Sequence, residues 1–281
     1  MSEPSDHIAG KVIIITGAAA GFGKLVSEMA ASRGARVVGA DVDEAAGNAT
    51  AAAVRGAGGE MAFRRADVTS KPDMDGLAAF AVEQFGRIDV MINNAGIMPL
   101  AFYADHATAW QAWDRCIDIN LKGVLNGITA VYDQMMAQER GHIVNISSIY
   151  GNFPNAGAAV YTATKAAVTI LSEALRVESQ GRIKVSVVKP TGVPATGLGA
   201  SVVNPEAIIG IIGHHAPSYM NNLMAFATGE LDDDLADPDS IRYWAISPVQ
   251  LAEQIVYVID QPWGVSISDI TVRASGEEYV L

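Results

Sequence analysis

Cysteine is nearly absent: Cys116 is the one thiol in 281 residues. A single thiol cannot close an internal disulfide or build a cysteine zinc site. It reads as a small buried hydrophobe on a helix, and a reduced, cytoplasmic setting fits. Basic residues are scarce, 19 against 31 acidic, for a net charge of −12. That surface repels phosphate backbones, so nucleic acid is not an expected partner. Long apolar runs are missing. Stretches such as Val12 to Ile15 are strand length and cannot span a bilayer, so no membrane association is expected. Met1 to Gly10 carries Glu3 and Asp6, with no basic start and no apolar core, so it does not read as a signal peptide. No metal site is expected. His214 and His215 are adjacent and cannot converge on one ion, and Asp232-Asp233-Asp234 lacks the glycine-centred pattern of a calcium loop. What is plentiful is apolar: 50% of the residues, enough for a sizeable core in one large α/β domain.

Strand-like and helix-like segments alternate. Val12 to Ile15 is a β-branched run followed by a Gly-rich turn, and Leu25, Val26, Met29 and Ala30 then recur at helical spacing. Further strands are expected at Arg36–Ala40, Met61–Ala66, Ile88–Ile92, His142–Ile146, Ile183–Val188 and Ile267–Val272. Helices are expected at Asp43–Gly56, Asp73–Phe85, Ala156–Glu178 and Pro248–Ile259, the last capped by Ser247. A long helical region from Trp110 to Met136 contains Gly123 and Gly127, which read as interruptions. Wholly apolar strands imply burial on both faces, hence a parallel sheet covered by helices in a doubly wound α/β fold. No repeat or linker divides the chain, so residues 1–281 read as one domain. Residues 191–245 break the rhythm and are too long for an ordinary loop; they read as a substrate-binding lid.

Thr16-Gly17-Ala18-Ala19-Ala20-Gly21-Phe22-Gly23 joins the first strand to the first helix. Glycines there allow a tight turn and close approach of a pyrophosphate to the helix N-terminus. Asp41 ends the second strand, where a carboxylate accepts from a ribose 2′-OH and repels a 2′-phosphate. This favours NAD over NADP; the alternative is that Asp41 caps the next helix. Asp67-Val68 ends the third strand, where an adenine edge would lie, and Asp67 reads equally well as a helix cap. Asn93-Asn94-Ala95-Gly96 ends the fourth strand with residues small enough for a cofactor to come close, or forms a plain turn.

Tyr161 and Lys165 stand one helical turn apart on one face, with Ser148 thirteen residues before the tyrosine. A phenol beside an ammonium is a proton donor whose pKa can be drawn down toward working pH. A neighbouring hydroxyl can fix a carbonyl oxygen against it. The bland alternative is a surface tyrosine next to a solvated lysine.

These segments, with Asn120 between them, resemble the short-chain dehydrogenase/reductase family from Lys11 to Pro190, and the last strand more loosely. The resemblance implies a three-layer Rossmann fold with a mostly parallel sheet of about seven strands. It implies reversible hydride transfer between a nicotinamide cofactor and an alcohol/carbonyl pair, in a homotetramer or homodimer. Tyr161 would be the acid/base and Lys165 would lower its pKa and bind the nicotinamide ribose. Ser148 would position the substrate oxygen, with Ser147 its rival for that role. Asn120 would hold a helix kink and a proton-relaying water. The cofactor would lie against Thr16, Gly17, Gly21, Phe22, Gly23, Asp41, Asp67, Val68, Asn94, Ala95, Gly96, Tyr161, Lys165, Pro190 and Val193. One departure stands out. After the sixth strand the family usually has Pro-Gly, and here Pro190 is followed by Thr191, with Thr196 one place late.

Met98, Tyr150, Phe153, Met220 and Met224 suggest an apolar pocket for a hydrophobic secondary alcohol or ketone. Two other functions stay open: a non-catalytic nucleotide sensor of the same fold, and an NAD-dependent epimerase or dehydratase. The glycine spacing and the lack of a longer C-terminal substrate domain disfavour the second.

Overall fold

The four β-branched and aliphatic residues after Lys11 open β1 (Val12–Thr16), every residue of which is buried. The chain continues through α1 (Gly21–Ser32), β2 (Arg36–Asp41), α2 (Glu44–Gly56), β3 (Glu60–Arg65), α3 (Lys71–Phe85) and β4 (Val90–Asn93). Next come α4 (His106–Ile117), α5 (Gly123–Ala137), β5 (Gly141–Ile146), α6 (Ala159–Glu178) and β6 (Ile183–Pro190). After the four-residue helix α7 (Ile209–Ile212), α8 (Ala216–Thr228) and the four-residue helix α9 (Asp233–Ala236) come α10 (Pro248–Ile259) and β7 (Asp269–Val272). This computed structural model describes residues 6–194 and 196–279; Met1–Ser5, Ala195 and the last two positions, including parts of the N-terminal and post-Pro190 readings, lie outside the described residues.

The strands form one seven-stranded sheet in the order β3-β2-β1-β4-β5-β6-β7. Every pairing is parallel, so the expected mostly parallel sheet is wholly so among the described residues. One face is covered by α1, α2 and α10, through Val26, Ala30, Ala51, Val54, Leu251 and Ile255. The other is covered by α3, α5 and α6, through Met74, Leu77, Val124, Ile128, Val168 and Leu175. The result is the three-layer arrangement the apolar strands imply. Ser247 caps α10 by accepting from the Gln250 N–H. β1 lies between β2 and β4, so the loops leaving β1 and β4 turn opposite ways and open a crevice at the strand ends.

The helical region before β5 differs from expectation. Gly123 and Gly127 are both helical, Gly123 as the first residue of α5 and Gly127 within it. The irregularity is a wide π turn at Asp118–Lys122, centred on Asn120. Gly127 serves close packing, since a Cβ there would lie 1.9 Å from Asn93 Oδ1. α6 starts at Ala159 rather than Ala156, and β7 is shortened to Asp269–Val272.

The segment after β6 forms its own apolar cluster above the strand ends. There Ile211, Ile212, Tyr219 and Trp244 pack with Leu100, Tyr150 and Tyr161. Val203 and Asn204 N–H both donate to Leu100 O, and Met98 N–H donates to Ser201 Oγ at 2.8 Å. No helix among the described residues is long and apolar enough to cross a membrane, and no group of potential metal ligands converges there.

Candidate active site

The β1 and β4 loops are stitched together at the crevice. Thr16 Oγ1 accepts from the N–H groups of Asn94 and Ala95 at 3.0 and 3.2 Å. Asn94 Nδ2 returns a bond to Thr16 O at 2.9 Å. Gly17 has φ 69°, and a Cβ there would meet Asn94 Nδ2 at 2.9 Å; one on Gly23 would lie 2.1 Å from Gly17 O. Only glycine allows both the left-handed turn and this approach. α1 begins at Gly21 with Ala20 as its N-cap, which offers no side-chain acceptor. The first-turn N–H groups are thus left for another acceptor, and the helix dipole favours an anion.

Asp41 does not cap the next helix. Asp43 does that, accepting from Ala46 N–H at 3.0 Å, while Asp41 Oδ2 accepts from Ala19 N–H at 3.0 Å. Asp67 is not the α3 cap either; Ser70 accepts from Asp73 N–H, and Asp67 Oδ1 accepts from the Thr69 N–H and hydroxyl. Both residues line a cleft of about 480 Å³ with Gly17, Val68, Ala95 and Gly96. Trp110, Gln111 and Arg115 of α4 close its outer wall. The sequence reading missed them. Their spacing of one turn was visible, but nothing local says that this helix face turns toward the strand ends.

A second cleft of about 210 Å³ shares Gly17, Ala95 and Gly96 with the first. It is lined by Gly21, Phe22, Asn94, Ser148, Tyr161, Lys165, Pro190, Thr191, Val193 and Thr196. Ala20 and Leu198, which were not expected, also line it. The two clefts form one path from Asp41 to Tyr161.

Tyr161 and Lys165 are buried at 5% exposure each, which removes the bland alternative of a solvated pair. Burial pushes the Tyr161 phenol up to about 12, although Ser148 beside it lowers its pKa. Lys165 Nζ lies 5.8 Å from the Tyr161 ring centre and donates to Ile146 O at 2.8 Å. Burial lowers its pKa to about 8. The expected downward pull of the lysine on the phenol does not show in the protein itself: Ser148 is the group that lowers the phenol's pKa, and burial, which disfavours the phenolate, outweighs it. Ser147, the rival serine, donates to Lys165 O at 2.8 Å and so anchors α6. Gly151 permits the Ser148 loop to sit against α6, since a Cβ would lie 2.9 Å from the Lys165 carbonyl carbon.

Asn120 sits in the π turn and pairs with Ile97 in both directions. Its Oδ1 accepts from Ile97 N–H at 2.9 Å and its Nδ2 donates to Ile97 O at 2.8 Å. A Cβ on neighbouring Gly96 would meet Asn120 Oδ1 at 3.3 Å and Lys165 Nζ at 3.6 Å. Cys116 is fully buried, and burial raises its thiol to about 11, so it is no nucleophile.

The structure does not bring the expected substrate residues together. Met220 and Met224 lie on the outer face of α8, 43% and 67% exposed. Phe153 lines a separate hollow with Phe102 and Tyr103. Met98 and Tyr150 pack in the cluster that contains Tyr161. His214 and His215 stack on each other, with ring centres 3.9 Å apart, and Asp232 caps α9.

The family model described as short chain dehydrogenase matches residues 11–207. An uncharacterized oxidoreductase of Listeria monocytogenes is 33% identical over 272 residues, covering 97% of this chain and 99% of that protein. A cyclopentanol dehydrogenase of Comamonas testosteroni is 35% identical over 209 residues, covering 74% of this chain and 82% of that protein. Among solved structures, a short chain dehydrogenase/reductase from Burkholderia phymatum in complex with NAD superposes with a TM-score of 0.73. It is 29% identical and covers 95% of this chain and 90% of its own. A metagenomic short-chain oxidoreductase in complex with NADP superposes with a TM-score of 0.71 at 26% identity, covering 95% of this chain and 97% of its own.

Proposed function

We propose that this chain, which belongs to the short-chain dehydrogenase/reductase family, is a dehydrogenase acting on a hydrophobic secondary alcohol or its ketone with NAD(H). The observation that carries the reading is the buried Tyr161, which shares one cleft with Ser148 and Lys165, continuous with the cleft that Asp41 lines. The crevice fits a dinucleotide: the uncapped α1 N-terminus suits a pyrophosphate, and Gly17 and Gly96 keep the path open. When bound, the nicotinamide would accept or supply the hydride.

The chain's own groups handle the oxygen and its proton. Ser148 donates to the substrate oxygen and holds it against the phenol. Tyr161 gives its proton to a developing alkoxide or takes one from an alcohol. A cation brought near the phenol lowers its pKa from about 12 toward working pH, and Lys165 together with an oxidised nicotinamide would do so. Asn120 holds the π turn against Ile97, keeping Gly96 and Lys165 in register. Residues 191–245 act as a lid, whose Leu198 joins Ile146 and Val193 in an apolar wall. The cyclopentanol dehydrogenase relative supports an alicyclic alcohol as the first to assay.

Tyr161→Phe is expected to lower turnover by at least about 100-fold while NADH binding, read by fluorescence, stays near the parent value. Unchanged turnover would sink the assignment. Asp41 supports NAD, since its carboxylate faces the cleft where a 2′-phosphate would sit. The parent should turn over faster with NADH than with NADPH, and Asp41→Ser should shift the kcat/KM ratio toward NADPH by about tenfold or more. A parent that prefers NADPH would overturn the role given to Asp41.

A further inference from the structure

The residue that departs from the family pattern, Thr191, is tied to the far end of the chain. Its N–H donates to Val272 O at 3.1 Å. Its hydroxyl donates to Glu277 Oε2 at 2.5 Å. The Glu277 side chain is 2% exposed, with the Arg273 guanidinium 2.5 Å from its other oxygen. The next residue, Gly192, is equally constrained, because a Cβ there would lie 1.6 Å from the Tyr279 hydroxyl. Tyr279 OH pairs with Tyr219 OH of α8 at 3.1 Å, and its ring packs edge-on against Tyr150, two residues after Ser148. Glu278 accepts from Trp244 Nε1 at 3.1 Å and from Asn222 of α8. Residues 273–279 thus touch the post-β6 turn, the serine loop and the α8 segment at once.

Burial pushes the Glu277 carboxyl above its ordinary range. An apolar side chain would fill the same place at a lower desolvation cost. What the carboxylate adds is an oriented acceptor beneath a cleft wall, since Thr191 and Val193 line the cleft while Glu277 does not.

We propose that Glu277 is a positioning residue: through the Thr191 hydroxyl it fixes the Pro190–Val193 turn, so that the C-terminal segment sets the nicotinamide end of the cofactor site. The proposal rests on the cleft being the dinucleotide site. Thr191 in place of the usual glycine is then half of a two-residue latch, and Glu277 is the other half.

The test is a double-mutant cycle on the full chain. Thr191→Val and Glu277→Leu each remove the latch; Thr191→Ser and Glu277→Gln keep a hydroxyl and an acceptor. Two readouts are used: NADH binding by fluorescence, and amide exchange of Thr191, Gly192 and Val193 in the protein without cofactor. Thr191→Val and Glu277→Leu are expected to weaken NADH binding by about tenfold and to speed exchange in that turn. The double variant should be no worse than the weaker single one, and Thr191→Ser and Glu277→Gln should stay near the parent. Unchanged binding and exchange in both removals, or additive losses, would overturn the proposal. If Glu277→Leu does not fold, Thr191→Val against Thr191→Ser decides alone. A parent that binds neither NADH nor NADPH would overturn the site reading and this proposal together. A parent that binds while the removals are silent overturns only the latch.

Discussion

Lys165 shows how far a spacing in the sequence goes and where it stops. A spacing of four residues, one helical turn, announced the pair with Tyr161, and resemblance to the family pattern favoured Ser148 over Ser147. Neither announces burial, because groups packed in the same cluster as Tyr161, such as Tyr219 and Trp244, come from distant segments. Burial has a thermodynamic consequence at Lys165. Its pKa is lowered from 10.5 to about 8, so at pH 7 both folded and unfolded chains carry the proton and the folded state bears the whole cost of a buried cation. Between 8 and 10.5 the folded state releases its proton first, and this cost falls as pH rises; above 10.5 it is gone. Lys165→Met should therefore be more stable than the parent at pH 7, on the order of 2 kcal/mol, with the gap closing toward pH 10. Turnover should fall by about 100-fold or more in the same variant. Thermal unfolding at the two pH values reads the first effect. A variant less stable than its parent at pH 7 would contradict it.

Among the elements, the strands were legible because β-branched runs buried on both faces have few other uses. The glycines of α5 were misjudged for a physical reason. A glycine in a helical pattern weakens the helix by about 1 kcal/mol, which favours reading a break. Here the cost is offset by contact, since Gly127 lets α5 lie against β4 where no Cβ fits beside Asn93. Residues 191–245 were the least legible element. Their short helices bury apolar residues against Leu100 and Tyr150, so no local period describes them. Gly127→Ala should destabilise the protein by about 1–3 kcal/mol although alanine is the better helix former. Gly56, at the end of α2, has nothing within 4 Å of a built Cβ. Its change to alanine should be neutral or stabilising by up to about 1 kcal/mol. Urea midpoints of the two variants check the pair, and equal shifts would remove packing as the reason for Gly127.

For the whole molecule, the acidic surface has an apolar exception. On α6, Ile170 and Val177 are 68% and 75% exposed, and their spacing of two turns places them on one stripe. Trp110, Ile117 and Leu125, from α4 and α5, are exposed as well. Val168 and Leu175 of the same helix face the core, so this stripe is the opposite side of α6 from the packed one. A net charge of −12 keeps copies apart at long range, and exposed apolar side chains oppose that only on contact. We predict that the protein sediments as a dimer or tetramer through this face of α6. Ile170→Glu combined with Val177→Glu puts carboxylates on both sides of a two-fold contact, where self-repulsion is unavoidable. That variant should sediment as a smaller species at the same concentration. It should keep NADH binding, since neither residue lines the cleft. A parent that sediments as a monomer, or a variant whose sedimentation is unchanged, would move the interface elsewhere or remove it.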